Sequence, residues 1–203
     1  MTNAYHRPCT GVILAGGQNT RFGGTNKALA SFAGKPILDH ILATFADRFD
    51  EIILVTNTPR LFIDWDLTLV SDVFQSRSSL TGLHAALFYS RHDDIFITAC
   101  DTPLLRGALL DLLLDAREDQ VDAVIPETAK GLEPLCAIYS RRCLPAIENR
   151  LQRGDYRIRG FFSSVKIKRL AISRLRAVDP DLRSFANVNT PEDLARIETG
   201  YAK

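Results

Sequence analysis

The sequence predicts an α/β fold. It should have three layers, with a Rossmann-like, mostly parallel sheet carrying helices on both faces and an irregular C-terminal third. Three observations predict it. Short apolar runs such as Thr10–Ala15 and Asp94–Ala99 are nearly continuous, as in strands buried on both faces. Helix-like stretches of about a dozen residues alternate with these runs, which implies βαβ units. A glycine-rich loop follows the first run, and that is where open parallel sheets place a ligand.

The elements follow in chain order. Thr10–Ala15 is the first strand and leads into the glycine loop. Pro36 opens a helix over Ile37–Phe49, with Ile37, Ile41, Leu42, Phe45 and Phe49 at helical spacing. Glu51–Thr56 is a second buried strand, and Asp66–Val70 a third, ending at Ser71-Asp72. Leu80–Arg91 reads as a helix. Asp94–Ala99 is a fourth strand, ending at Cys100-Asp101. Leu104–Ala116 is a leucine-rich helix, and Val121–Ile125 a fifth strand. The pattern then becomes irregular. Leu135–Tyr139 is a short strand, Arg141–Arg153 a helix, and Val165–Leu170 an alternating edge strand. A terminal helix starts at Thr190 as N-cap, with Pro191 in its first turn and Asp193 completing a capping box.

The 203 residues are 46% hydrophobic and 24% charged, which is ordinary globular composition for one domain. The net charge of +1 argues against a strong nucleic-acid binder, but it hides a pattern. Residues 1–140 carry a net of −6, residues 141–176 a net of +9 and residues 177–203 a net of −2. The basic block points to a site for an anion. Most of its members are also explained as a solvated helix face and a lysine-protected edge strand. No apolar run approaches the roughly 20 residues needed to cross a bilayer. The N-terminus lacks the h-region of a signal peptide. Cys9, Cys100, Cys136 and Cys143 form no CxxC pair and read as reduced core residues, and the four histidines lack metal-ligand spacing. A cytoplasmic protein is expected, without membrane or nucleic-acid partners.

The carboxyl ends of the expected strands carry Gly16-Gly17, Asn57, Asp72 and Asp101. Each such Asn or Asp alone also fits a turn or cap, but together they mark a site. The loop from Leu14 to Lys27 matches neither Gly-x4-Gly-Lys nor GxGxxG. Its glycines let backbone N–H groups approach a phosphate, while Arg21 offers a planar fork and Lys27 a point charge. Asp101, between an apolar run and Thr102-Pro103, is placed for Mg²⁺, which takes one or two carboxylates plus substrate phosphates. As an alternative, Asp101 caps the helix from Leu104. No Ser/His/Asp triad is evident.

The segments LAGGQNTRFGGTNKAL, ACDTPLL and FANVNTPEDL, in that order, resemble the molybdenum cofactor guanylyltransferases, the MobA type of the nucleotidyltransferase superfamily. The likeness runs from about Gly11 to the last helix. It implies one nucleotidyltransferase domain over residues 1–203, with a nucleotide-binding half at about 10–126 and an acceptor side at about 127–203. It implies transfer of GMP from GTP to molybdopterin with release of pyrophosphate. It further implies that Leu14, Ala15, Gly16 and Gly17 lie against the nucleotide through backbone groups. Asn57, Asp72 and Gly82 would help bind the nucleoside, and Lys27 would contact the phosphates. Arg21, Lys27 and Asp101 would be catalytic, with Asp101 holding Mg²⁺, or Mn²⁺ in its place. Asn187 and Asn189 would lie on the acceptor side, where many related nucleotidyltransferases have a second metal carboxylate. Arg157 and Arg159, in the segment Gly154–Arg159, would face the anionic pterin. Transient contact with cofactor-insertion proteins or molybdoenzymes is also implied.

Four departures from the family pattern stand out. Ser78-Ser79 replaces a Gly-Pro pair, Asn26 replaces the usual Asp before Lys27, and Glu133 stands where His is frequent. Tyr156 also stands at a frequent Arg position. The alternatives are use of CTP, a sugar-phosphate acceptor, or a non-catalytic nucleotide-binding or cofactor-delivery protein. Asp101 and Lys27 argue against the last, because binding alone requires no metal carboxylate. The missing GxGxxG argues against a Rossmann oxidoreductase.

Overall fold

The computed structural model describes residues 7–16 and 26–201. The main sheet is built from β1 (Thr10–Leu14), β4 (Ile52–Val55), β5 (Thr68–Val70), β6 (Asp94–Ala99), β7 (Ala123–Thr128), β9 (Cys136–Ser140) and β10 (Ile167–Leu170), with β8 (Gly131–Leu132) paired only to β7. Two-residue strands β2 (Ser31–Phe32) and β3 (Lys35–Pro36) form a separate hairpin. The helices are α1 (Ile37–Phe45), α2 (Ser79–Tyr89), α3 (Gly107–Asp115), α4 (Leu144–Gln152), α5 (Ile172–Val178) and α6 (Pro191–Tyr201).

Across the main sheet the strand order is β10-β7-β9-β6-β1-β4-β5. Central β1 is parallel to β4, with Gly11 opposite Ile52, and to β6, with Thr10 opposite Ile95. β9 runs antiparallel to both of its neighbours, β6 and β7. All the other ladders of the strand order are parallel, so the sheet is mixed but mostly parallel.

Alternation along the strands divides the core in two. Ile13, Leu54, Phe96 and Ile138 face α1, α3 and α5. Val12, Ile53, Ile97 and Tyr139 face α2 and α4. The result is the expected three-layer sandwich. Both sheet faces are covered, so the strands read as continuous apolar runs rather than as an alternating pattern.

Several boundaries differ from the expectations. α1 stops at Phe45, but Phe49 still packs in the core and stacks on Phe96. α3 begins at Gly107 with Arg106 at its N-cap position, and Asp101 therefore caps no helix. The segment Arg141–Cys143 is a 3-10 turn capped by Ser140, and α4 starts only at Leu144. The β2–β3 hairpin and α5 carry no sequence signal that identifies them. Two-residue strands and a seven-residue helix are too short for periodicity to register. The capping box of α6 forms as expected: Asp193 N–H donates to Thr190 Oγ1, and its carboxylate accepts from Thr190 N–H, both at 3.1 Å. The four cysteines are free and buried, and burial pushes the Cys9 and Cys143 thiols up to about 12. Among the described residues no helix is long and apolar enough to cross a membrane.

Candidate functional site

The carboxyl ends of β1, β4, β5 and β6 lie side by side, and two polar constellations form there. In the first, Asn57 follows β4 and Asp72 follows β5. Asn57 Nδ2 donates to Asp72 Oδ2 at 2.8 Å, which ties the two loops together. Gly16 is exposed beside them, and a Cβ there would come within 3.9 Å of Asn57 Nδ2. Gly82, on the first turns of α2, sits over the end of β1. A Cβ at this position would be 3.1 Å from Leu14 Cδ2 and 3.9 Å from Asp72 Oδ1, so a larger residue would press on the Leu14 side chain. Leu14, Gly16, Asn57, Asp72 and Gly82 therefore converge as the sequence suggests, and Ala15 lies buried among them, its N–H bonded to the Val55 carbonyl.

Ser78 explains one departure from the family pattern. Its side chain accepts from Thr81 N–H at 3.1 Å, and the Thr81 hydroxyl accepts from Ser78 N–H at 3.0 Å. This capping box starts α2 where a Gly-Pro pair is the frequent choice.

The second constellation joins residues far apart in sequence. Lys27 Nζ donates to Asn189 Oδ1 at 2.9 Å and lies 3.8 Å from Asp101 Oδ2. Val188, fully buried, donates its N–H to the Asp101 carbonyl at 2.8 Å. The Asp101 carboxylate is mostly buried, and its Oδ1 has no hydrogen-bond partner among the described residues. Burial raises its pKa above the ordinary value, and Lys27 opposes the rise. A buried carboxylate oxygen without a protein partner is a hard donor suited to a cation. Among the described residues no three acidic, His or Cys side chains gather to hold a metal. One such carboxylate fits a divalent cation whose shell is completed by substrate phosphates and waters.

Asn26, directly before Lys27, has a structural role that its sequence position alone does not reveal. It is buried, its Oδ1 accepts from Ala28 N–H at 3.0 Å, and its Nδ2 donates to the Ala15 carbonyl at 3.3 Å. An amide can do both at once, whereas an ionised carboxylate could not donate to the Ala15 carbonyl. The sequence marked Asn26 as a replacement for the usual Asp before Lys27, and its place directly before the 3-10 turn Lys27–Leu29 is a cap position. Gly17 and Arg21 lie outside the described residues.

Farther along the same rim, the turn at β8 follows the carboxyl end of β7. Arg159 reaches this turn, its Nη2 donating to the Leu132 carbonyl at 2.6 Å. Arg157 is exposed and pairs in a fork with Asp155, at 2.9 and 3.1 Å. That fork holds the Asp155 carboxyl down at about 2. Glu133 accepts from the Thr128 hydroxyl across the β7–β8 turn at 2.8 Å. Asn187 is exposed, and only Asn189 of the two asparagines turns onto Lys27.

The basic block is not a continuous positive patch. Arg141 pairs with Asp93, Arg142 with Asp122, Lys168 with Glu118 and Arg169 with Glu127. These acids come from the acidic first part of the chain, so folding neutralises much of the block.

A mostly parallel sheet with Gly16, Asn57, Asp72 and a lysine–aspartate pair gathered at its carboxyl strand ends is the arrangement in which open α/β sheets bind a ligand. Comparison with known proteins narrows the class. Residues 11–170 match the model of the MobA-like NTP transferase domain. A molybdenum cofactor guanylyltransferase of Desulfosudis oleivorans is 44% identical over 189 residues, covering 93% of this chain and 94% of the relative. A probable molybdenum cofactor guanylyltransferase of Methanosarcina mazei is 34% identical, covering 95% and 90%. The crystal structure of molybdopterin-guanine dinucleotide biosynthesis protein A from Archaeoglobus fulgidus superposes with a TM-score of 0.84 at 25% identity, over 95% and 98% of the two chains. The chain belongs to the MobA-like NTP transferase family and is a nucleotidyltransferase.

Proposed function

We propose that this protein transfers GMP from GTP to molybdopterin and releases pyrophosphate. One observation carries the reading: Lys27, Asp101 and Asn189 meet beside the Gly16–Asn57–Asp72–Gly82 cleft at the carboxyl ends of neighbouring parallel strands. The 44% identity to a molybdenum cofactor guanylyltransferase supports a guanylyl donor and a molybdenum-cofactor acceptor.

In this reading the Leu14–Gly17 backbone, Asn57, Asp72 and Gly82 seat the nucleoside. Lys27 and Arg21 meet the phosphates and offset charge on the transferring and leaving groups. A phosphate oxygen of the pterin attacks the α-phosphorus, the bond to the bridging oxygen breaks, and pyrophosphate leaves with that electron pair. Such a reaction rests on positioning and charge neutralisation, so the protein needs no nucleophile of its own. Asp101 is the residue that would hold Mg²⁺ (or Mn²⁺), and the bound ion would neutralise phosphate charge.

Residues at about 10–126 form the nucleotide side and residues at about 127–203 the acceptor side of one domain. Arg159, Arg157 and the exposed Asn187 belong to the acceptor side. Strands lie about 4.8 Å apart. The β7–β8 turn that Arg159 reaches is two strands from β6, a separation of about 10 Å along the same rim. A cytoplasmic location and transient contact with proteins that take up the finished cofactor fit this activity.

The test is a purified-protein assay with Mg²⁺, either molybdopterin or a sugar phosphate as acceptor, and each of the four NTPs. Pyrophosphate release with GTP alone is expected. Release with CTP alone would reject the guanylyl assignment, and release only with a sugar phosphate would reject the acceptor.

A further inference from the structure

We propose that Asn189 is a positioning residue for Lys27: its neutral amide aims the ammonium into the cleft without cancelling the charge. This rests on the reading of Lys27 as a phosphate-contacting group. The backbone of Lys27 is fixed from one side by Asn26, which caps its turn and grips the Ala15 carbonyl. The far end of the side chain is fixed from the other side, by the 2.9 Å bond to Asn189 Oδ1. The carboxylate of Asp101 stands farther off, at 3.8 Å. The shorter contact is therefore with the uncharged partner.

Asn189 is itself held in place. Its N–H donates to Asp193 Oδ2 at 3.1 Å, within the capping box of α6. The neighbouring Val188 is fully buried and bonded to the Asp101 carbonyl. Farther along α6, Glu198 Oε1 accepts from Ala33 N–H at 2.6 Å, in the turn of the β2–β3 hairpin. The C-terminal helix thus grips the chain that follows Lys27 while its N-terminal turn presents Asn189. Helix and lysine form one unit, although Lys27 and Asn189 are 162 positions apart in sequence.

A carboxylate at position 189 would keep the geometry and add a full negative charge against Nζ. It would then compete with a triphosphate for the same ammonium. The neutral amide is the functional feature, and this sets the order of two variants. A purely structural role predicts that the near-isosteric Asn189→Asp is milder than Asn189→Ala. Positioning by a neutral acceptor predicts the reverse.

The experiment is calorimetric titration of GTP into wild type, Asn189→Asp and Asn189→Ala, in saturating Mg²⁺ without acceptor, with melting temperatures alongside. We expect about tenfold weaker GTP binding for Asn189→Asp, the scale of one charge-assisted hydrogen bond. Asn189→Ala should lose about threefold, and neither variant should lose thermal stability. Tighter or unchanged GTP binding in Asn189→Asp overturns the inference and marks position 189 as a metal-ligand or acceptor-side position. Greater loss in Asn189→Ala than in Asn189→Asp overturns it as well. Failure of the wild type to bind GTP overturns the nucleotide reading itself, and this outcome is distinct from the other two.

Discussion

Asp101 should make the protein less stable than it could be, and the reason is visible at the site. The carboxylate is mostly buried, one oxygen has no hydrogen-bond partner among the described residues, and the Lys27 ammonium is 3.8 Å away. An orphaned buried polar atom costs about 1–3 kcal/mol. Lys27 offsets part of that, but the pKa is still raised, so burial outweighs the attraction. Replacing Asp101 with Asn keeps the shape and removes the ionisable group. The expected gain is about 1 kcal/mol, or about 2–4 °C in melting temperature for a chain of this size. The sign of the pH dependence follows from the raised folded-state value. Below the ordinary carboxyl value of 3.8 both folded and unfolded states are protonated, and wild type and variant melt alike. Between 3.8 and the raised folded value the unfolded chain ionises first, so the wild type loses stability as pH rises. The Asp101→Asn variant has no such loss, so the gap opens and then levels off above the folded value. Melting curves from pH 3 to 8 in EDTA, followed by turnover assays at saturating Mg²⁺, test this. Asp101→Asn should be more stable at pH 8 yet inactive. A variant that melts lower at pH 8, or that still turns over, would refute the account.

Other outcomes follow from particular contacts. Ser78→Ala removes the capping box of α2 and should cost about 1 kcal/mol, seen as a lower melting temperature with little change in chemistry. Gly11→Ala would place a Cβ 2.6 Å from Phe49 and 2.7 Å from Phe45. It should destabilise by about 1–3 kcal/mol through overpacking, measurable by urea unfolding. Arg157→Glu breaks the exposed fork with Asp155, in the segment that the proposed function assigns to the acceptor. It should raise KM for molybdopterin and leave GTP affinity intact, and equal loss of both would indicate misfolding instead.

The sequence by itself determined the layered α/β architecture. Strands covered on both faces must be apolar throughout, so Thr10–Ala15, Glu51–Thr56 and Asp94–Ala99 stood out as β1, β4 and β6. Their carboxyl ends were equally legible, because a polar residue ending an apolar run has few packing reasons to be there. Together with the shorter run Asp66–Val70, that placed Gly16, Asn57, Asp72 and Asp101 from the residues alone. Local chemistry also sufficed for the Thr190–Asp193 capping box, which depends on residues three apart.

The tertiary structure decided whatever depended on distant partners. The charge block looked like a positive surface until folding set Asp93, Asp122, Glu118 and Glu127 against it. The antiparallel insertion of β9 between two parallel strands leaves no mark in a five-residue apolar run, since burial is the same in either direction. Asp101 could have been a helix cap from sequence, and only the start of α3 at Gly107 released it. The contact of Lys27 with Asn189 spans most of the chain. Nothing local specifies which residue meets an ammonium across such a separation. The sheet order brings β1 and β6 together, the buried Val188 anchors the C-terminal segment to the end of β6, and the amide arrives as a consequence of that packing.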